Sequence, residues 1–135
     1  PHTVKSVGIG GKPRPEFLEK HDVGVRSDYF DVVISAMEKV VGPGGTANGA
    51  KLQDIVICGK TGTVQNEPRK DHSVFVCFAP KENPKIALAV YVENCGFGGT
   101  WAAPIASLMI EQYLNGEIKN VEREKHILEQ NFLNQ

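Results

Sequence analysis

Ile55-Val56-Ile57-Cys58-Gly59-Lys60-Thr61-Gly62-Thr63 opens as an apolar, largely β-branched run and closes in a cation, two hydroxyls and a glycine. The run has the composition of a buried strand. Its ending does not suit a core, because a buried ammonium and free hydroxyls would be left without water. A strand that finishes in this way is well made for one wall of an anion-binding cleft.

Two further strands are expected downstream, at 73–79 and 85–93. Both are nearly continuously apolar, so both of their faces should be covered. Pro80-Lys81-Glu82-Asn83-Pro84 is short enough to join them as an antiparallel hairpin. The polar stretch Gln65-Asn66-Glu67-Pro68-Arg69-Lys70-Asp71 links the first strand to the second. Upstream, Phe30, Val33, Ile34, Met37, Val40 and Val41 recur at helical spacing, and Gly42-Pro43-Gly44-Gly45 stops that helix sharply. Ser27 or Asp28 is the expected cap. Thr100 opens a second helix, with Pro104 in its first turn and Asn115-Gly116 at its end, and little of its surface should face solvent. Residues 117–135 carry seven charges and a sparse stripe of Val121, Leu128 and Phe132, the pattern of a loosely held surface helix. Near the start, Thr3-Val4-Lys5-Ser6-Val7 is a short strand candidate. The expected class is therefore α+β, an antiparallel β-meander flanked by helices.

Composition bounds the rest. A length of 135 residues, 41% hydrophobic and 23% charged, fits one globular domain that buries roughly two-thirds of its unfolded surface. The net charge of −1 offers no basic field for nucleic acid or an anionic membrane surface. No apolar run reaches the roughly 18 residues of a membrane span. The three cysteines, Cys58, Cys77 and Cys95, form neither a disulfide framework nor a zinc knuckle. A loop centred near Glu67 and Pro68 would set Cys58 opposite Cys77, as two reduced thiols packed together. The four histidines are scattered, and no metal or other cofactor is expected. Gly8-x-Gly10 is not a dinucleotide fingerprint, since Pro13 stands where the last glycine belongs. Gly44 to Lys51 is one residue out of register for a phosphate loop. Asp71 and His72 suit a pair that anchors a loop at a strand entry better than an acid–base pair.

Lys60-Thr61-Gly62-Thr63-Val64-Gln65 resembles the third active-site motif of penicillin-binding proteins and serine β-lactamases. Gly45-Thr46-Ala47 is similar to the segment that precedes that strand in the monofunctional, class B penicillin-binding proteins. Arg69-x-Asp71-His72, Phe78-Ala79-Pro80, Asn83-Pro84 and Val92-Glu93-Asn94-Cys95-Gly96 resemble the penicillin-binding protein 2 subgroup. The resemblance runs from about residue 1 to residue 116. It implies a partial serine β-lactamase/transpeptidase-like fold, with 1–116 as its core and 117–135 as a charged C-terminal helix or tail. The implied activity is D,D-transpeptidation of peptidoglycan stem peptides, with β-lactam antibiotics as ligands, on the extracytoplasmic side of a bacterial inner membrane. The anchor to that membrane would lie in a segment not in this chain.

The roles that the resemblance implies fall on the opening stretch. Lys60 would be the catalytic cation of the cleft floor. Thr61 and Thr63 would hold the substrate carboxylate, and Gly62 would let the substrate backbone lie along the strand. The Thr63 N–H would supply half of an oxyanion hole. Against this, no serine starts a Ser-x-x-Lys motif: the third residue after Ser6, Ser27, Ser35, Ser73 and Ser107 is Ile9, Phe30, Glu38, Val76 and Ile110. Ser-x-Asn is absent too, and Tyr113-x-Asn115 follows Lys-Thr-Gly where the family has its second motif before it. The chain is thus expected to be the C-terminal portion of a transpeptidase domain, partnered by the remainder of that domain and inactive alone. Two other readings are a non-catalytic peptide-binding module using strand addition, and part of a β-lactamase or β-lactam sensor.

Overall fold

The computed structural model describes residues 11–13, 15–19 and 21–132. The strand expected at 3–7 lies outside them. The chain forms α1 (Ser27–Val41), β1 (Cys58–Val64), β2 (His72–Ala79), β3 (Ile86–Val92), α2 (Ala102–Asn115) and α3 (Val121–Leu128), with short 3-10 turns at Pro15–Phe17 and Asn48–Ala50. The fold is α+β, and its sheet is an antiparallel meander in the order β1-β2-β3. Among the described residues β1 is therefore an edge strand. Its ladder begins at Cys58, three residues later than the apolar run suggests. Ile55 to Ile57 lead into it without pairing, although Val56 O accepts the Lys81 N–H at 2.9 Å.

One face of the sheet is the core. Ser73, Phe75, Cys77 and Ala79 point to it from β2, and Ile86, Leu88, Val90 and Val92 from β3. α2 covers that face with Ala102, Ala103, Ala106 and Ile110, all fully buried. Three alanines on this stripe let the helix backbone approach the strands closely, and Phe75 fills the space left below them. At Gly59 the fit has no slack, because a Cβ there would overlap the Phe75 ring.

The opposite face is largely open, contrary to the expectation from the apolar runs. Val76 is 44% exposed and Tyr91 53% exposed. The runs look doubly buried only because their outward positions carry Val, Ala and Tyr rather than polar residues. α1 packs against β1 through its C-terminal part, where Val41 is buried. Phe30 and Val33, expected in the buried stripe, are exposed on its N-terminal half. Neither Ser27 nor Asp28 caps this helix. Arg26 is the N-cap and gives no side-chain bond, while the Asp28 carboxylate accepts two bonds from the Arg26 guanidinium, at 3.0 and 2.7 Å.

Three more expectations need correcting. The register pairs Cys58 with Phe78 and Gly59 with Cys77, one step from the expected one. Successive side chains alternate between faces, so the two thiols lie on opposite sides of the sheet. All three cysteines are buried and free. Met109 and Tyr113 of α2 are exposed, so that helix is not covered all round. The C-terminal segment, in turn, is docked and not loose. Arg123 donates to Ser107 Oγ at 2.7 Å and to Lys51 O at 3.1 Å, and burial pushes its pKa below the usual guanidinium value. Asn120 caps α3 by accepting from the Arg123 N–H, and its own N–H reaches the buried Glu111 carboxylate at 3.3 Å. Trp101 stacks on His126 at 5.6 Å and meets Phe132 edge-on at 5.2 Å. The residues that dock the segment are thus mainly Arg123, His126 and Phe132, while the expected Val121 and Leu128 face solvent. Among the described residues no helix is long and apolar enough to cross a membrane.

Candidate active-site wall

All four residues singled out in the sequence lie together in β1, which among the described residues has no strand on its outer side. An edge strand presents every second N–H and C=O outward, so this stretch offers backbone groups as well as side chains to a ligand. Lys60 and Thr63 are exposed, and Thr61 and Gly62 are half-buried. The Lys60 ammonium folds back to donate to Thr61 O at 2.7 Å. Among the described residues it has no carboxylate partner, so its charge is available to an anion.

Thr61 is held from the side. Its Oγ1 lies 3.0 Å from Thr46 Oγ1, a hydrogen bond that joins the turn after α1 to the edge strand. Thr46 is the contact that sequence reasoning missed. Gly45-Thr46-Ala47 stood out as a motif, but nothing in its spacing indicated that its hydroxyl would reach β1.

Gly62 is held from below. The turn between β3 and α2 passes beneath the β1–β2 pair, and Gly98 lies so close that a Cβ on it would overlap Val74 O and come within 2.6 Å of Gly62 O. Ser73, fully buried, fixes this turn by donating to Phe97 O at 2.9 Å and accepting from the Ala102 N–H at 3.1 Å. A side chain at Gly98 would push the turn away from the strand that carries the site.

Asp71 and His72 do not face the free edge as an acid–base pair. Asp71 Oδ1 accepts from the Asn66 N–H at 3.3 Å, and Asp71 O accepts from the Gly96 N–H at 2.7 Å. His72 Nδ1 accepts from the Asn94 N–H at 3.0 Å, and its ring lies 5.2 Å from that of Tyr91. They anchor loops, as expected. Among the described residues no cluster of three or more His, Cys, Asp or Glu could hold a metal.

The site is thus half of a cleft: one wall with a cation, hydroxyls and outward backbone groups, and among the described residues no Ser-x-x-Lys serine beside it. Comparison with known proteins explains that shape. The family model described as the penicillin binding protein transpeptidase domain matches residues 1–111, and the chain belongs to that family. It is 34% identical over 85 residues to the peptidoglycan D,D-transpeptidase MrdA of Haemophilus influenzae, covering 63% of this chain and 13% of that protein. It is 39% identical over 102 residues to the peptidoglycan D,D-transpeptidase PbpA of Mycobacterium tuberculosis, covering 69% of this chain and 20% of that protein. Among solved structures, Pseudomonas aeruginosa PBP2 in complex with WCK 5153 matches 68% of this chain and 21% of its own, at 38% identity and a TM-score of 0.58. The chain spans between 13% and 24% of the length of such curated relatives.

Proposed function

We propose that this chain supplies the Lys-Thr-Gly wall of the active site of a serine-type peptidoglycan D,D-transpeptidase, an enzyme that cross-links stem peptides and is acylated by β-lactams. The observation that carries this reading is Lys60-Thr61-Gly62-Thr63 on the free edge of an antiparallel sheet, in a chain of this family. The whole chain is the C-terminal part of a transpeptidase domain, with residues 1–116 in the core and 117–135 appended. The remainder of that domain supplies the serine of Ser-x-x-Lys and covers the open apolar face around Val76 and Tyr91. Its N-terminal anchor holds it at the outer side of the bacterial inner membrane.

In this reading the substrate strand adds alongside β1 and places its terminal carboxylate at the Thr61 and Thr63 hydroxyls, under the field of Lys60. Gly62 has no side chain to hold that strand off. The serine attacks the carbonyl of the penultimate residue, and the oxygen that becomes negative points at the Thr63 N–H. One such donor typically lowers the barrier by about 3 kcal/mol. The leaving D-alanine takes a proton, Lys60 helping to relay it, and an acceptor amine then releases the acyl group. A solved structure shows Helicobacter pylori PBP2 in complex with MreC, so a protein partner of that kind is one to test for the whole enzyme.

A fluorescent penicillin distinguishes the parts. It should leave these 135 residues unlabelled and label the longest natural polypeptide that carries them once, on a serine outside this chain. Stoichiometric covalent labelling of the 135 residues alone, or no labelling of the longer polypeptide, would overturn the proposal.

A further inference from the structure

We infer that His72, with Asn66, Asp71 and Asn94, is a positioning set that fixes the site strand by bolting together the two turns at one end of the sheet. Three bonds span the joint and a fourth braces the loop. Asn66 Nδ2 donates to Asn94 Oδ1 at 2.7 Å and the Asn94 N–H donates to His72 Nδ1 at 3.0 Å. The Gly96 N–H donates to Asp71 O at 2.7 Å and the Asn66 N–H to Asp71 Oδ1 at 3.3 Å. Asn66 and Asp71 belong to the loop that leaves β1 two residues after Thr63, whereas Asn94 and Gly96 belong to the turn that carries Gly98.

Asn94 shows what the joint does. Its φ is +56°, in the left-handed region that non-glycine residues rarely adopt; its side chain is held by Asn66 of the loop opposite and its N–H by His72 at the start of β2. From there the turn runs two residues beyond Gly96 to Gly98, which lies against the backbone of Gly62 and Val74. Displacing Asn94 therefore displaces the support under Gly62 and, one residue on, the N–H of Thr63. Two of the stretches that resemble the penicillin-binding protein 2 subgroup, around Asp71-His72 and around Asn94-Gly96, are thus the two halves of a single joint. None of these four side chains reaches the free edge motif itself, so they act through the strand and are positioning residues.

The functional meaning rests on the proposed role of Thr63, but the joint can be tested without any catalysis. Hydrogen exchange and amide chemical shifts would be recorded by NMR on the 15N-labelled chain and on His72→Leu, His72→Asn and Asn66→Ala. We expect His72→Leu to speed exchange at Asn94 and Gly96 about tenfold, and to shift the Gly62 and Thr63 amide signals, with exchange at Phe75 and Ile110 within about twofold of wild type. Asn66→Ala, which leaves His72 in place, should act at the same amides. His72→Asn, whose carbonyl can accept in place of Nδ1, should restore the Asn94 and Gly96 values in part. Unmoved Gly62 and Thr63 signals in both His72→Leu and Asn66→Ala would overturn the inference. So would a uniform rise in exchange across the core, which is general destabilisation. Loss of β-lactam acylation by the longer polypeptide on other grounds would leave these signals untouched and would bear only on the proposed function.

Discussion

Gly59→Ala is the sharpest test of how the site strand is seated. Gly59 is buried one position before Lys60. A Cβ there would overlap Phe75 Cζ, lie 2.7 Å from Phe75 Cε2 and lie 3.0 Å from Val76 O. The ring cannot swing aside freely, because Phe75 has no exposed surface and sits in the same cluster as Ala102, Ala106 and Ile110. Forcing one extra methyl into such a core costs roughly 1–3 kcal/mol. The gain from replacing glycine within a strand offsets about 0.5–1 kcal/mol of that. The expected net loss is about 1–2 kcal/mol, read from urea unfolding followed by Trp101 fluorescence. Phe75→Leu alone also destabilises, by opening a cavity. Combined with Gly59→Ala it should cost less than the sum of the two, with a coupling of about 1 kcal/mol, since the shorter side chain makes room for the methyl. Additive effects, or a Gly59→Ala variant within about 0.3 kcal/mol of wild type, would show that Phe75 does not press against β1 in this way.

Other consequences can be measured on the same chain. Arg123→Met removes the bonds to Ser107 and Lys51 and leaves the buried Glu111 without its nearby cation, so stability should fall by about 1–3 kcal/mol and trypsin should reach α3 sooner. Burial pushes the Cys77 thiol up to about 11 from an ordinary value of 9.0. Above pH 9 the unfolded chain therefore loses the proton first; the stabilising contribution is complete below pH 9 and is lost as pH rises through 11, up to about 2.7 kcal/mol. Unfolding followed across that window in wild type and Cys77→Ala should show the wild type falling more steeply by this amount; parallel curves would contradict it. On the open face, Val76→Thr should leave stability within about 0.5 kcal/mol of wild type and reduce self-association in sedimentation velocity. A large loss of stability there would mean that the face is covered.

Much of this was legible in the sequence because it depends on short-range pattern. The order of elements, the meander, the stop of α1 before Gly42 and the end of α2 at Asn115 follow from periodicity and from glycine and proline. So does the placing of Lys60 to Thr63 on a strand; that this strand lies at an edge came only from the family resemblance. What failed is what depends on partners far away in the chain. The register of β1 on β2 turns on a single residue in the 65–71 loop, and that one step moved Cys58 and Cys77 to opposite faces. The apolar stripe of α1 and the outward residues of β2 and β3 gave no sign that nothing among the described residues covers them. Arg123 looked like one more surface charge in a polar tail, although its partners are a buried serine hydroxyl and a carbonyl 72 residues upstream. Thr46 and Gly98 support the site through contacts that only the folded chain brings together.

The central claim, that Lys60 to Thr63 form the working wall of a transpeptidase cleft, is tested most directly by acylation kinetics on the longest natural polypeptide that carries this chain. The rate constant for labelling by a fluorescent penicillin would be compared between wild type, Lys60→Ala and Thr61→Val, with thermal unfolding as the control for folding. The account predicts that Lys60→Ala slows acylation by about a hundredfold and Thr61→Val by about tenfold, with little change in melting temperature. Rates within about threefold of wild type in both variants would contradict it.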